Sequence, residues 1–141
     1  MTNTFQDPYL DGNDQLEQAI HLYYMNQTDE NIDRIFEVLY AQRANDKHLI
    51  FPADIITMEN GETTFDFKTM DVGDSAALVA FTSQAELKKG PQVGAVSYFI
   101  DSMLDELLQI PHLSGLLLNP WGESFFCSKD DILYRLIPFY G

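Results

Sequence analysis

Apolar residues over positions 14–44 recur at intervals of three and four, which is the spacing of two amphipathic helices. Asp14 stands three residues before Glu17 and is the predicted N-cap of the first helix, which ends near Asn26. Thr28 is the predicted N-cap of the second helix. The apolar stripes are formed by Leu16, Ala19, Ile20, Tyr23 and Tyr24, and then by Ile32, Ile35, Phe36 and Leu39. Because few residues separate the helices, the pattern predicts a helical hairpin.

Between residues 48 and 81 the apolar runs are shorter and are broken by turn residues, which is typical of strands. The pattern predicts strands at residues 48–52, 55–58, 63–67 and 76–81. Pro52 closes the first strand, and Asn60-Gly61 is a strong hairpin turn between the second and the third. Residues 70–74 are predicted to be a loop. The last strand is apolar enough to lie buried at the centre of a sheet.

Two helices are predicted between this strand and the last hairpin. Ser83 and Glu86 form a capping box for a helix of one or two turns. From Val96 onward the spacing predicts an amphipathic helix that Pro111 stops. The apolar face of this helix consists of Phe99, Ile100, Met103, Leu104, Leu107 and Leu108.

Residues 112–132 organise the predicted fold, because they combine two apolar runs, a turn and a helix cap. The consecutive leucines at 116–118 are typical of a strand buried on both faces. Asn119-Pro120-Trp121-Gly122 is a turn, and Phe125-Phe126-Cys127 is the returning strand. Ser128 is the predicted N-cap of a final helix over residues 129–136.

These elements predict a single α/β domain of the α+β type, with a mixed sheet of about five strands and helices packed on it. Residues 1–13 are polar and rich in turn residues, so they are predicted to form an N-terminal arm, and the domain spans residues 14–141. A chain of 141 residues, 45% of them hydrophobic, can bury one sizeable core and is short for two.

The charge of the chain narrows the range of partners. Eight Lys and Arg residues against 22 Asp and Glu residues give a formal net charge of -14. Binding to nucleic acid or to an anionic membrane surface depends on Lys and Arg, so neither is expected. No apolar run approaches the roughly 18 residues that span a bilayer, and the first residues lack the pattern of a secretory signal. A protein partner with a basic surface fits this charge.

No catalytic, cofactor-binding or metal-binding residues are predicted. His21, His48 and His112 lie in different predicted elements, without the spacing of metal ligands. Cys127, within an apolar strand, is predicted to be a buried thiol. A single cysteine cannot form an internal disulfide, which favours the reducing cytoplasm. The serines that precede helices are interpreted as caps, and the sequence has no Gly-x-Ser-x-Gly motif.

Trp121 is the residue for which structural and functional interpretations differ most. It is the only Trp of the chain, and it lies in a turn. Such an indole ring either covers the edge of the core or is presented to a partner as an anchor. Asn119, Pro120 and Trp121 are therefore the candidate partner-binding residues.

Two motifs in the C-terminal half resemble the N-terminal domain of the SseB family, the bacterial enhanced-serine-sensitivity proteins. The first is a strand ending in Phe-Thr-Ser before a short helix, here Val79-Ala80-Phe81-Thr82-Ser83. The second is a Gly-leucine-rich-Asn-Pro turn followed by a strand and a final helix, here residues 115–120 and 125–132. The resemblance implies an α/β domain without an assigned catalytic centre, and many members of the family carry a second domain after it.

Three functional hypotheses follow. The first is a non-enzymatic protein-interaction or regulatory module of the SseB N-terminal type, with an acidic surface. The second is an immunity or inhibitor protein that covers the cationic site of a basic toxin or nuclease. The third is a small-ligand-binding protein or an enzyme whose site is assembled from residues distant in sequence.

Overall fold

The computed structural model describes residues 7–136 of the chain. Its helices are α1 (Asn13–Met25), α2 (Asp29–Ala44), α3 (Gln84–Leu87), α4 (Ile100–Gln109) and α5 (Lys129–Asp131). Its strands are β1 (His48–Thr57), β2 (Thr63–Phe67), β3 (Thr69–Val72), β4 (Ser75–Ala80), β5 (Ala95–Phe99), β6 (Leu113–Leu118) and β7 (Phe125–Ser128). A 3-10 turn, Pro8–Leu10, precedes α1, and a π-helical turn, Ile132–Leu136, follows α5. Residues 1–6 of the predicted arm and residues 137–141 of the predicted domain lie outside the described residues.

The α+β class, the single domain and the N-terminal helical hairpin are confirmed. α1 and α2 pack against each other, and Thr28 caps α2 as predicted. The Thr28 hydroxyl accepts a hydrogen bond from the backbone N–H of Asn31 at 3.2 Å, which satisfies one of the unpaired donors at the start of the helix. The buried apolar residues of the hairpin are Leu16, Ala19, Ile20, Ile35, Phe36, Val38 and Leu39.

The predicted cap of α1 at Asp14 is wrong. The helix begins at Asn13, and Gly12 occupies the N-cap position with a φ of 92°, which a residue with a side chain rarely adopts. The amide of Asn13 is buried and donates hydrogen bonds to the backbone oxygens of His48 and Thr82, at 2.9 and 3.1 Å. The start of α1 is therefore set by a contact with distant strands, which local capping patterns do not show.

Seven strands within residues 7–136 form two sheets, in the orders β2-β1-β5 and β3-β4-β6-β7. Neighbouring strands are antiparallel except for β4 and β6, which run parallel. Ile50 in β1 and Phe81, next to β4, exchange backbone hydrogen bonds of 2.9 and 2.8 Å that join the two sheets. The two sheets are thus joined in one continuous order, β5-β1-β4-β6-β7, which matches the predicted mixed sheet of about five strands. β2 and β3 are strands in addition to these five.

Two segments form strands that the pattern did not predict. Residues 70–74, predicted to be a loop, include most of β3, which pairs with β4 across a tight turn at Gly73. The predicted helix from Val96 is wrong for its first residues, because Ala95–Phe99 pairs with β1 and the helix begins at Ile100. Both strands are short and half-exposed, so their conformation depends on pairing with a neighbouring strand, which for β5 is distant in sequence.

β1 continues through Pro52, so the predicted strand end at this residue is wrong. The N–H of Ile50 and the carbonyl of Pro52 point to the same edge of β1, where they bond to Phe81 and Lys68. The proline nitrogen therefore falls between two pairing partners, β4 and β2. A missing N–H is tolerated at such a position, because the ladder is changing partners there.

The C-terminal hairpin is confirmed, with β6 and β7 paired from Leu118 and Phe125 back to Gly115 and Ser128. Leu116 and Leu118 are buried, and Leu117, on the opposite face, is half-buried. The Ser128 hydroxyl accepts a hydrogen bond from the Asp131 N–H at 3.1 Å and caps the final helix as predicted. This hairpin ends in the turn that carries Trp121.

The two faces of β1 and β4 are covered by different elements. The larger core packs one face against α1, α2 and α4 and includes Leu49, Phe51, Leu78 and Ala80. A smaller cluster on the opposite face consists of Ile50, Val79 and Phe81, with Leu10, Met70 and Leu87 packed against it. The 3-10 turn and α3 therefore lie on the second face. Among the helices of residues 7–136, none combines the length and apolarity that crossing a bilayer requires.

Candidate protein-binding site

The turn between β6 and β7 is held by Asn119 at its start. Asn119 adopts a left-handed conformation with a φ of 52°, and its backbone N–H donates to the carbonyl of Ala80 at 2.9 Å. Its side-chain oxygen accepts a hydrogen bond from the N–H of Thr82 at 3.0 Å. Because these bonds tie the turn to the end of β4, the position of Trp121 relative to α3 is fixed by the sheet.

The indole ring of Trp121 lies directly against Gly90, in the segment that follows α3. A Cβ atom at Gly90 would lie 2.2 Å from the indole Nε1, so only glycine leaves room for the ring. Trp121 is nevertheless 41% exposed. Part of the indole ring therefore packs on the protein, and part of it is open to solvent. The structure thus has features of both interpretations of the sequence, the ring that covers the core edge and the exposed anchor.

The three candidate partner-binding residues differ in exposure. Asn119 is buried, with 3% of its surface exposed, and Pro120 is half-buried. Trp121 is the member of the set that presents a large apolar surface to solvent. Asn119 can contribute to binding only through the position that it gives to the turn.

A cleft with four carboxylates lies beside this turn, and we call it the acidic cleft. Its volume is about 540 Å³. It is lined by Asp14, Glu17, Gln18, His21 and Leu22 of α1, by Glu86 of α3 and by Glu123, which follows the turn. A Cβ atom at Gly122 would lie 2.6 Å from Oε1 of Glu86, so the turn and the wall of the cleft are in direct contact.

Two basic side chains, Lys89 and His21, lie next to carboxylates of the acidic cleft. Lys89 forms an ion pair with Glu86, and this hydrogen bond raises the pKa of the Lys89 ammonium, which stays protonated. Nδ1 of His21 lies 2.9 Å from Oε1 of Glu123. Glu17 accepts a hydrogen bond from the hydroxyl of Thr82, a neutral group. The cleft therefore retains an excess of negative charge that a cationic side chain of a partner can neutralise.

The acidic cleft was not predicted from the sequence. Its carboxylates come from three segments, and the contact between His21 and Glu123 joins residues that are 102 positions apart. On α1 alone, Asp14 and Glu17 follow the ordinary pattern of a solvated helix face. The one related signal in the sequence was the large excess of acidic residues, which does not indicate where a cleft forms.

The other residues with potentially reactive side chains, Cys127, Ser83 and Ser128, have structural roles. Cys127 is fully buried, and burial raises the pKa of its thiol far above the ordinary value, so the predicted buried thiol is confirmed. The hydroxyls of Ser83 and Ser128 accept hydrogen bonds from backbone N–H groups of the helices that they cap. Within residues 7–136, no group of three or more His, Cys, Asp and Glu side chains is placed to hold a metal ion.

Comparison of the chain with protein-family models, with curated proteins and with solved structures found no match.

Proposed function

We propose that the chain is a non-enzymatic protein-interaction or regulatory module of the SseB N-terminal type, which works in the cytoplasm and binds a protein partner with a basic surface. The observation that carries the proposal is the half-exposed Trp121, in the turn that leads to Glu123 of the acidic cleft. An exposed indole in a rigid turn is the kind of group that supplies most of the binding energy of an interface. The neighbouring carboxylates select for a cationic partner.

The surroundings of Trp121 suit it to an anchor. The turn is held by the buried Asn119, so little side-chain or backbone freedom is lost when a partner binds. The net charge of -14 accelerates the encounter with a basic protein and repels nucleic acid. Shape and charge thus favour a protein as the partner.

A second candidate function is inhibition of a basic toxin or nuclease, and the excess of carboxylates in the acidic cleft favours it. Such enzymes carry cationic sites for the phosphates of their substrate. A carboxylate-lined cleft beside an aromatic anchor can cover a cationic site of this kind. The two candidates differ in whether the bound partner loses its activity.

The test is capture of the partner on immobilised protein from native lysate, followed by measurement of the affinity of variants for the captured protein. Trp121→Ala is expected to weaken binding by about 2 kcal/mol, while the melting temperature changes little, because the ring is half-exposed. The matched control is Tyr40→Ala. Tyr40 on α2 is 39% exposed and does not line the acidic cleft, so its removal is expected to leave the affinity unchanged.

A charge variant separates electrostatic from apolar binding. The double substitution Glu86→Gln and Glu123→Gln should slow association and reduce its dependence on salt more than the control pair Glu30→Gln and Glu37→Gln on α2, which removes the same net charge outside the cleft. Full binding by the Trp121→Ala variant contradicts the proposal. If the captured protein is a nuclease, loss of its activity at one equivalent supports the inhibitor function, and retained activity supports the general module.

A further inference from the structure

β1 and β2 extend beyond the core as a two-stranded ribbon. Residues pair directly from Ala53 with Phe67, through Ile55 with Phe65, to Thr57 with Thr63. Directly paired residues point to the same face of an antiparallel ribbon. Phe67 on this face packs against the core residue Phe51, with the ring centroids 6.1 Å apart. The apolar face of the ribbon is therefore a continuation of the core face of β1.

The outer part of this apolar face is not covered by any element within residues 7–136. Ile55 is 67% exposed and Phe65 is 41% exposed, although both lie on the face that is buried nearer the core. The opposite face carries Asp54 and Asp66, which are paired directly across the ribbon, and the exposed Ile56. Lys68, on the same face, forms an ion pair with Asp54 and is also attracted by Asp66, so these two carboxylates and one ammonium leave an excess of one negative charge.

The outer edge of β2 has free backbone groups. The N–H of Lys68 donates to Pro52, and the carbonyl of Glu62 accepts from Met58, so the even-numbered residues of β2 bond toward β1. Backbone groups alternate between the two edges of a strand. The N–H and C=O groups of Thr63, Phe65 and Phe67 therefore point outward, where no strand of residues 7–136 pairs with them.

We propose that the outer edge of β2 is a docking site for an extended segment of a partner protein in which apolar and basic residues alternate. The segment would add a strand to the ribbon through main-chain hydrogen bonds. Its apolar side chains would lie beside Phe65 and Phe67, and its basic side chains would lie beside Asp66 on the other face.

The charge of the edge decides against a second copy of this chain as the occupant. A second copy would bring a strand with the same Asp66 and a chain with the same net charge of -14 to the edge. Like charges on neighbouring strands are destabilising, whereas a basic segment is attracted. The ribbon is a separate surface from the acidic cleft, since the two have no residues in common.

The probe for this site is a short peptide in which Lys and Val alternate, with a peptide of alternating Glu and Val as the matched control. Fluorescence anisotropy of the labelled peptides gives their Kd values, and amide chemical shifts of the protein locate the contact. We expect the Lys peptide to bind about tenfold more tightly than the Glu peptide, because its charges oppose that of Asp66. The largest shifts are expected at Thr63, Phe65 and Phe67.

Two variants test the two parts of the recognition. Phe65→Pro removes an outward N–H that β1 does not use, and proline is tolerated at an edge of this kind. Asp66→Lys reverses the outer charge and keeps the whole backbone, so it stays informative if the proline variant does not fold. Each is expected to weaken binding of the Lys peptide about fivefold or more, whereas Tyr40→Ala, on α2 and outside both surfaces, should leave its Kd unchanged.

Three outcomes would overturn the proposal. The first is equal affinity of the two peptides, and the second is a set of shifts that maps to the acidic cleft and not to β2. The third is self-association of the free protein that Phe65→Pro abolishes, which would make a second copy the occupant of the edge. Because the ribbon variants leave Trp121 intact, failure here is distinguishable from failure of the proposed function.

Discussion

His48 at the start of β1 is enclosed by aromatic and polar neighbours. Its ring stacks on Tyr9 with centroids 4.2 Å apart, and its Nδ1 lies 2.8 Å from the hydroxyl of Ser97. Ser97 in turn donates a hydrogen bond to Asp7 at 2.9 Å. Nε2 of His48 is buried without a hydrogen-bond partner among the described residues. This environment favours the neutral imidazole.

The stability of the folded protein is expected to decrease as the pH is lowered, because of His48. Burial lowers its pKa in the folded protein, and the negative charge of Asp7 opposes this effect only in part. The unfolded chain takes up a proton as the pH drops through about 6.5, whereas the folded protein resists it. The contribution of neutral His48 to the free energy of unfolding is therefore fully present above this pH. It is lost as the pH falls toward the pKa of His48 in the folded protein.

Urea unfolding at a series of pH values measures this effect. The free energy of unfolding of the parent protein should decrease between about pH 7 and pH 5, and His48→Gln should make this decrease smaller. An identical pH dependence in the parent and in His48→Gln would refute the assignment.

At the scale of elements, the helical hairpin is joined to β7 and to the π-helical turn through Phe36 of α2. Phe36 is 5% exposed, and its ring meets that of Phe125 in β7 edge to face, with centroids 5.6 Å apart. The guanidinium carbon of Arg135 lies 4.6 Å from the centroid of the Phe36 ring. One side chain of α2 thus contacts two other elements, β7 and the π-helical turn.

Phe36→Ala is expected to lower the free energy of unfolding by about 3 to 5 kcal/mol, because a large cavity replaces contacts with Phe125. The loss can be measured by denaturant unfolding. Leu22→Ala on α1 is the control, since Leu22 is 52% exposed and should change stability by less than about 1 kcal/mol. If Phe36→Ala costs no more than the control, the hairpin does not pack through this residue.

At the scale of the whole molecule, the net charge of -14 opposes the compact state through repulsion between carboxylates. Ion pairs such as those of Arg34 with Glu37 and Arg135 with Asp33 have exposed partners and stabilise the fold little. Screening by salt should therefore remove more repulsion than attraction.

The melting temperature is expected to rise between about 0.01 M and about 1 M NaCl, as the Debye length falls from about 30 Å to about 3 Å. Calorimetry at neutral pH measures the effect. Near the isoelectric point of 4.2 the net charge vanishes, so the rise should become much smaller there. A melting temperature that falls with salt at neutral pH would show that ion pairs dominate the electrostatics.

The sequence by itself determined the elements whose signals are local. The helical hairpin, the caps at Thr28, Ser83 and Ser128, and the turns of both hairpins depend on hydrogen bonds and apolar spacing within a few residues. The buried position of Cys127 also followed from the apolar strand around it. These features could be predicted because neighbouring residues contain all the information that fixes them.

Only the tertiary structure decided the features that depend on distant partners. Pro52 stays within β1 because two different strands pair on either side of it, and Ala95–Phe99 is a strand because β1 lies next to it. α1 starts at Asn13 because the amide of this residue reaches β1 and the end of β4. The acidic cleft joins α1, α3 and the turn at Trp121, and the exposed face of the β1–β2 ribbon exists because the core ends before the strands do. Charge and exposure at these surfaces arise from the arrangement of whole elements, which no local pattern contains.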